Sequence, residues 1–212
     1  GEYLEFLNAL AVQDPDEASL RSPRYAEGGK SLLTRTPEGR LALPEDDPEL
    51  GPWQESWPVF GISLLDAESY CAWRSSREGI LFRLPAEEEW EKACRGVDGR
   101  RYPWGNRFDA SLCNMSVSFS RPPRPAPIDA FPADSSVYGV RGMAGNISEW
   151  TSTRIQAPGG KMKCVVRGGH YQASPEGCSA SYREWRDPAA PGDTVGFRLA
   201  WTAGQRLHPG TG

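Results

Sequence analysis

Several features that would point directly to a function are missing from this chain of 212 residues. No stretch approaches the roughly 20 consecutive apolar residues that a membrane-spanning helix requires, and no signal-peptide pattern opens the chain. The basic residues form no run and the net charge is -4, which argues against nucleic acid as a partner. We therefore expect a protein without a membrane span, located in the cytoplasm.

Residues that commonly carry chemistry are also sparse. The two histidines are His170 and His208, and neither the spacing of a catalytic triad nor a pair of closely spaced carboxylates stands out. Cysteine occurs five times, without a C-x-x-C motif or the close spacing of a zinc knuckle. This usage is typical of a reduced protein whose thiols are buried as small hydrophobic groups.

The composition favours one loop-rich α+β domain. Apolar residues make up 38% of the chain, enough for a packed core, while 23 glycines and 19 prolines limit regular structure. Ser63 and Asp66 form a capping-box pattern that predicts a helix ending at Gly79. A second helix is predicted over residues 86–96, since its acidic residues crowd the first turn and its basic residues the last. We expect a single domain over residues 1–203 and a disordered tail over 204–212.

Short apolar runs predict the strands. A hairpin is expected within residues 32–43 and a strand over residues 57–62. Two further short strands, residues 164–166 and 197–200, bracket a segment that is too polar for a core and too aromatic for a plain linker. We interpret that segment as a surface offered to a ligand. Its candidate contact residues are His170, Tyr171, Gln172, Ser174, Tyr182, Glu184, Trp185 and Arg186. The alternative places Tyr182 and Trp185 in the core and makes Arg183 an ion-pair partner.

The order of motifs resembles that of a known family. Arg167-Gly168-Gly169, Cys178, Tyr182-Arg183, Gly196-Phe197-Arg198 and the run over residues 143–150 resemble the formylglycine-generating enzyme-like (sulfatase-modifying factor) family. The resemblance covers nearly the whole chain, although the strand that usually precedes the first helix is missing. It implies a C-type-lectin-like fold with two main helices and short antiparallel strands.

The resemblance also implies candidate metal sites. In the family, the segment matching residues 142–149 binds calcium through backbone carbonyls and the glutamate side chain, which carries over to Gly142, Gly145, Ile147 and Glu149. The alternative is that Asn146 and Glu149 only hydrogen-bond the backbones of neighbouring loops.

A copper site is the second implication. Oxidase members of the family bind copper(I) through two thiolates at positions that match Ala173 and Cys178. Because one ligand is replaced by alanine, we expect neither copper nor conversion of a substrate cysteine to formylglycine.

Two function hypotheses follow. The first is a non-catalytic module that binds a protein or small-molecule ligand through its C-terminal loop. Similar roles are implied by resemblance to variable proteins of diversity-generating retroelements and to sensor domains fused to bacterial serine/threonine kinases. The second is a metal-dependent oxidase or modifying enzyme related to the formylglycine-generating enzyme, with its cleft near His170 and Cys178.

Overall fold

A computed structural model describes residues 1–118 and 122–206 of the chain. The described residues form short helices and strands joined by long loops, as the composition predicts. The helices are α1 (Glu2–Gln13), α2 (Pro15–Leu20), α3 (Leu64–Glu78) and α4 (Glu87–Arg95). The strands are β1 (Thr34–Arg35), β2 (Leu41–Ala42), β3 (Ser148–Gln156), β4 (Met162–Arg167), β5 (Arg183–Arg186) and β6 (Val195–Phe197). Within the described residues, no helix is both long enough and apolar enough to cross a bilayer.

The main sheet has the strand order β5-β4-β3-β6. Strands β3, β4 and β5 are antiparallel neighbours, whereas β6 runs parallel to β3. Strands β1 and β2 form a separate antiparallel pair, in the region where the sequence predicts a hairpin. Strand β5 is an edge of the main sheet. The part of the candidate ligand-binding region between β4 and β5, residues 168–182, is called the ligand segment below, and it rejoins the sheet at β5.

The two predicted helices begin and end where the capping residues indicate. The Ser63 hydroxyl accepts a hydrogen bond from the Asp66 amide at 3.2 Å, and the Asp66 carboxylate accepts one from the Ser63 amide at 2.8 Å. In α4, Ala86 has no side-chain oxygen to serve as a cap. Glu89 instead accepts a bond from the Ala86 amide at 2.8 Å, which satisfies one of the free donors at the helix start.

The sequence prediction of a strand over residues 57–62 is wrong, because only Ile62 forms a β-bridge, with Gly192. Pro58 lacks an amide donor, and Gly61 turns the chain at a φ of 74°, which interrupts any ladder. The segment still packs inward, since Trp57 and Phe60 are buried. At the other end of the chain, Arg206 forms a bridge with Ile80, and residues 207–212 of the predicted tail lie outside the described residues.

Two loops cross at Asn114 and Asn146, next to the predicted metal segment. The Asn146 amide donates to the Asn114 carbonyl at 2.7 Å. The Asn146 side chain accepts from the Ala126 amide at 2.9 Å and donates to the Ala126 carbonyl at 3.0 Å. Asn146 therefore hydrogen-bonds neighbouring loops, as the structural alternative in the sequence analysis proposed for this residue.

The loop crossing predicts a steric test at Gly145. A Cβ added there would lie 2.2 Å from the Asn114 carbonyl oxygen, whereas one added at Gly142 would meet no atom of the described residues within 4 Å. Both glycines have positive φ, 79° and 67°, so alanine is strained at each. We expect Gly145→Ala to lower the free energy of unfolding by roughly 3 kcal/mol or more, and Gly142→Ala by about 1 kcal/mol. Urea denaturation measures both losses in the free energy of unfolding. Equal losses would contradict the close approach of Gly145 to the Asn114 carbonyl.

Candidate functional site

The ligand segment leaves the sheet through a tight turn at Gly168 and Gly169, directly after β4. A Cβ on Gly169 would lie 2.5 Å from the Gly177 carbonyl oxygen and 2.9 Å from the Cys178 sulfur. The turn therefore closes against residues 177–178 with no room for a side chain, which is the close backbone approach that paired glycines favour. The buried Arg167, the last residue of β4, donates to the Ser181 and Tyr182 carbonyls at 3.1 and 2.8 Å and so fixes the end of the segment.

The structure divides the eight predicted contact residues into three groups. Tyr171 belongs to the interior, because it is only 5% exposed and packs in a cluster with Trp57, Phe60 and Ile147. Burial raises the pKa of its phenol to about 12. The Tyr171 ring therefore anchors the segment to the scaffold and does not lie at the surface with the other predicted residues.

Strand β5 separates Trp185 from its predicted companions. Successive side chains of a strand point to opposite faces, so Glu184 and Arg186 share one face while Arg183 and Trp185 share the other. Arg183 forms an ion pair with Glu87 of α4 at 2.9 Å, as the structural alternative proposed. Trp185 is 53% exposed and is available to solvent on that second face.

Of the six remaining residues, five form what we call the recognition patch: His170, Gln172, Tyr182, Glu184 and Arg186. The Glu184 carboxylate accepts bonds from the Tyr182 hydroxyl at 2.8 Å and from the Arg186 guanidinium at 3.0 Å. The backbone amide of Gln172 donates to Nδ1 of His170 at 3.3 Å. Ser174 is exposed in the following turn, beside the patch.

The electrostatics of the patch keep His170 neutral and Glu184 charged. Burial lowers the pKa of His170, against the opposing effect of the Glu184 charge. Burial alone would raise the pKa of Glu184, but the hydrogen bonds from Tyr182 and Arg186 bring it below its usual range. At neutral pH the patch therefore presents an ionised Glu184–Arg186 pair beside an uncharged imidazole.

The predicted calcium segment is held by a cation of the protein itself. Both oxygens of the Glu149 carboxylate accept bonds from Arg198, each at 2.6 Å, and one oxygen also accepts from the Trp90 indole at 2.6 Å. Arg198 donates further to the Gly142 carbonyl at 3.0 Å and to the Arg141 carbonyl at 3.3 Å. Two of the four predicted calcium donors thus contact a guanidinium.

These donors fit the resident guanidinium and not an additional calcium ion in the same arrangement, because two cations at one carboxylate repel each other. Ile147 packs with Tyr171 in a hydrophobic cluster, and Gly145 lies at the loop crossing. Within residues 1–118 and 122–206, no group of three or more His, Cys, Asp or Glu side chains is arranged to hold a metal ion. Calcium at this segment stays a prediction, and it requires Arg198 to withdraw.

A buried carboxyl group that the sequence analysis missed lies beneath this segment. Asp134 is 1% exposed, and one of its oxygens accepts from the Ala144 amide at 2.9 Å, while the Met143 amide also lies near enough to the carboxyl group to lower its pKa. Burial raises the pKa of Asp134 to about 7, although the Ala144 amide and Arg198 act in the opposite direction. No spacing in the sequence marks this residue, because its burial results from the folding of residues 134–142 over it.

The cysteine at the predicted copper position is inaccessible. Cys178 is 0% exposed and packs with Cys113, Met115 and Ala144, with Ala173 against the same cluster. Ala173 carries no ligand atom, so the two positions implied by the resemblance supply one thiol between them.

A large groove lies away from the recognition patch. It has a volume of about 610 Å³ and runs between α1 and residues 197–199. Its lining is mainly apolar and includes Tyr3, Leu7, Trp57 and Phe197. None of the eight predicted ligand-contact residues lines it.

Comparisons with known proteins agree with this architecture. The family described as the sulfatase-modifying factor enzyme 1-like domain matches residues 25–203. The solved structure of Treponema denticola variable protein 1 superimposes with a TM-score of 0.60 at 21% identity, covering 73% of this chain and 74% of that one. At that identity the likeness concerns the fold alone.

Curated relatives include proteins named as inactive and proteins named as enzymes. An inactive C-alpha-formylglycine-generating enzyme 2 from Mus musculus is 37% identical over 163 residues, covering 70% of this chain and 50% of the relative. A hercynine oxygenase from Mycobacterium tuberculosis is 32% identical over 214 residues, covering 89% and 44%. A serine/threonine-protein kinase pkn1 from Chlamydia caviae is 30% identical over 184 residues, covering 79% and 28%. The chain spans half or less of the length of these relatives.

Removing Arg198 is predicted to destabilise the protein. Arg198→Met keeps the aliphatic stem but leaves the Glu149 carboxylate, which is 10% exposed, without its cation. We expect a loss of about 2–4 kcal/mol in the free energy of unfolding, because an unpaired buried charge is costly. The control Arg154→Met breaks an exposed pair with Glu68 and should cost about 0.5 kcal/mol or less.

The same variants test calcium. We expect added calcium to raise the Tm of the Arg198→Met variant more than that of the wild type, since the substitution frees the Glu149 oxygens. Equal responses to calcium and to chelator in the wild type and both variants would show that Glu149 is not a calcium ligand.

Asp134 is predicted to make stability depend on pH. The pKa of its carboxyl is raised in the folded state, to about 7 from an ordinary value of 3.8. Its stabilising contribution is therefore present below about pH 4 and is lost as the pH rises through about 7. The stability of Asp134→Asn relative to wild type should increase by roughly 2–4 kcal/mol between pH 4 and pH 8. Urea denaturation across this range measures the difference, and Asp129→Asn, at an exposed carboxyl, should show no such trend.

Proposed function

The chain belongs to the sulfatase-modifying factor enzyme 1-like family, and we propose that it is a non-catalytic member that binds a ligand through its recognition patch. The observation that carries this proposal is the preassembled group of Tyr182, Glu184 and Arg186 on the edge strand β5. Their hydrogen bonds of 2.8 and 3.0 Å fix the side chains before any ligand arrives. A patch that is already ordered loses less conformational entropy on binding.

The scaffold supports recognition by holding both ends of the ligand segment. Tyr171 is buried at the start of the segment, and the buried Arg167 holds the carbonyls at its end. Residues 172–176 between these anchors are partly or fully exposed, with Gln172 and Ser174 at the surface, and Tyr182 is exposed next to β5. Rigid supports around an exposed loop are the usual arrangement in which loops carry binding residues.

The chemistry of the patch indicates a polar ligand with both hydrogen-bond donors and acceptors. Glu184 offers a carboxylate, while Arg186 and the Tyr182 hydroxyl offer donors within the same small area. Such a set matches the backbone and side chains of a protein segment, or a small molecule of comparable polarity. The resemblance implies two settings for such a role, a sensor domain joined to a bacterial kinase and a retroelement-diversified variable protein. The similarity to a kinase supports the first, and the fold shared with a variable protein is compatible with the second.

A second candidate is a metal-dependent oxidase or modifying enzyme. The similarity to a hercynine oxygenase over 89% of the chain favours it. Against it, the thiol of Cys178 is fully buried, and the second copper-ligand position that the resemblance implies is occupied by Ala173. Elemental analysis of the purified native protein separates the two, since stoichiometric copper or iron would favour the enzyme.

The binding proposal predicts a residue-specific loss of affinity. A displayed library of random peptides is selected on the immobilised wild-type protein, and the affinities of enriched clones are then measured for two variants. We expect Arg186→Ala to weaken binding at least tenfold, because it removes a donor and releases Glu184. Arg154→Ala, at an exposed arginine outside the patch, should change affinity less than twofold. Clones that bind Arg186→Ala as tightly as wild type would place recognition elsewhere.

A further inference from the structure

Two cysteines that are far apart in sequence meet in the interior beneath the ligand segment. Cys113 and Cys178 are both 0% exposed and pack in one cluster, close enough for the Cys178 thiol to raise the pKa of Cys113. Their surroundings are Met115 and Ala144, with Trp104 and Ala173 at the edge of the cluster. Cys178, which lacks a second thiol at the position of Ala173, therefore has one in Cys113.

We propose that Cys113 and Cys178 are a dithiol that closes to a disulfide when the chain folds in the presence of a low-molecular-weight disulfide oxidant. One Cys–Cys bond forms, the oxidant's S–S bond breaks, and its two halves leave as thiols that carry the two cysteine protons. The oxidant gains the two electrons that the cysteines lose. The proposal does not depend on the ligand-binding function.

The surroundings favour a disulfide over a bound soft metal ion. The cluster around the two thiols is apolar, and Asp134 lies close enough for its charge to raise the pKa of the Cys113 thiol. Two thiolates around a monovalent ion would place a net negative charge in this apolar site, which is costly without a compensating cation. A disulfide is uncharged, so it suits the same space.

The burial of the pair also sets when oxidation can occur. The neighbouring Cys178 thiol and burial keep the pKa of the Cys113 thiol far above its usual range, and only the thiolate attacks a disulfide. In the folded protein the reaction should therefore be slow. During refolding the thiols are still exposed, and the cross-link can form before the cluster closes over them.

The cross-link would tie together two segments that already touch. The Ser116 amide donates to the Ala173 carbonyl at 3.1 Å, and the Cys178 amide donates to the Ser174 carbonyl at 3.3 Å. A disulfide would close a loop of about 65 residues, enough to raise the Tm by roughly 10 °C. It would also restrict the turn over residues 173–178, next to the recognition patch.

The test uses the whole chain, refolded from denaturant with a mixture of oxidised and reduced glutathione. We expect the intact mass to fall by the two hydrogens lost, and three of the five cysteines to remain available for alkylation in denaturant. Peptide mapping should join the peptides of Cys113 and Cys178. Reduction should lower the Tm by roughly 10 °C and speed amide hydrogen exchange in residues 173–178 at least tenfold.

Matched variants separate this pair from the others. Cys113→Ala should abolish the cross-link, while Cys164→Ala, which removes a buried thiol of the main core, should leave it intact. Five alkylated cysteines after oxidative refolding of the wild type would overturn the proposal without recourse to any variant. So would a cross-link between other cysteines, including Cys71 and Cys164, which share the main core.

Discussion

The carboxylate of Glu149 is the interaction on which the rest of this structure depends. It lies on β3, accepts a bond from Trp90 of α4, and pairs with Arg198 immediately after β6. Arg198 extends the network to the carbonyls of Arg141 and Gly142. One buried charge pair therefore holds a helix, two strands and a loop together, in a domain with little regular secondary structure to do so.

A second buried arginine positions the ligand segment in the same way. Arg167 stacks over the Trp90 ring, with its guanidinium carbon 5.5 Å from the ring centroid, and pairs with Glu91. Its Nη1 group donates to the Ser181 and Tyr182 carbonyls, where the segment returns to β5. Trp90 thus contacts Arg167 directly and is linked to Arg198 through a shared Glu149 oxygen, so the scaffold under the recognition patch shares its support with the loop at Glu149.

The sequence predicted well those features that local chemistry determines. The capping box at Ser63 and the hairpin near residues 34–42 follow from residue type and spacing alone. The separation of Tyr171 and Trp185 from the other predicted contact residues could not be predicted in this way, because it depends on tertiary packing. Trp57 and Phe60 provide a pocket for Tyr171, and the alternation of β5 directs Trp185 away from Arg186; neither fact is visible before the strand boundaries and their partners are known.

Long-range pairs were the second limit of sequence reasoning, and they changed the chemistry of two sites. Glu149 read alone is an oxygen donor for a cation, but the cation that reaches it in the fold is Arg198, a residue 49 positions away. Cys178 read alone lacks a partner, yet Cys113 lies against it. In both cases the motif identified the right residue while the fold supplied its partner. The roles of a family's residues can therefore be transferred to this chain only after the groups that face them have been identified.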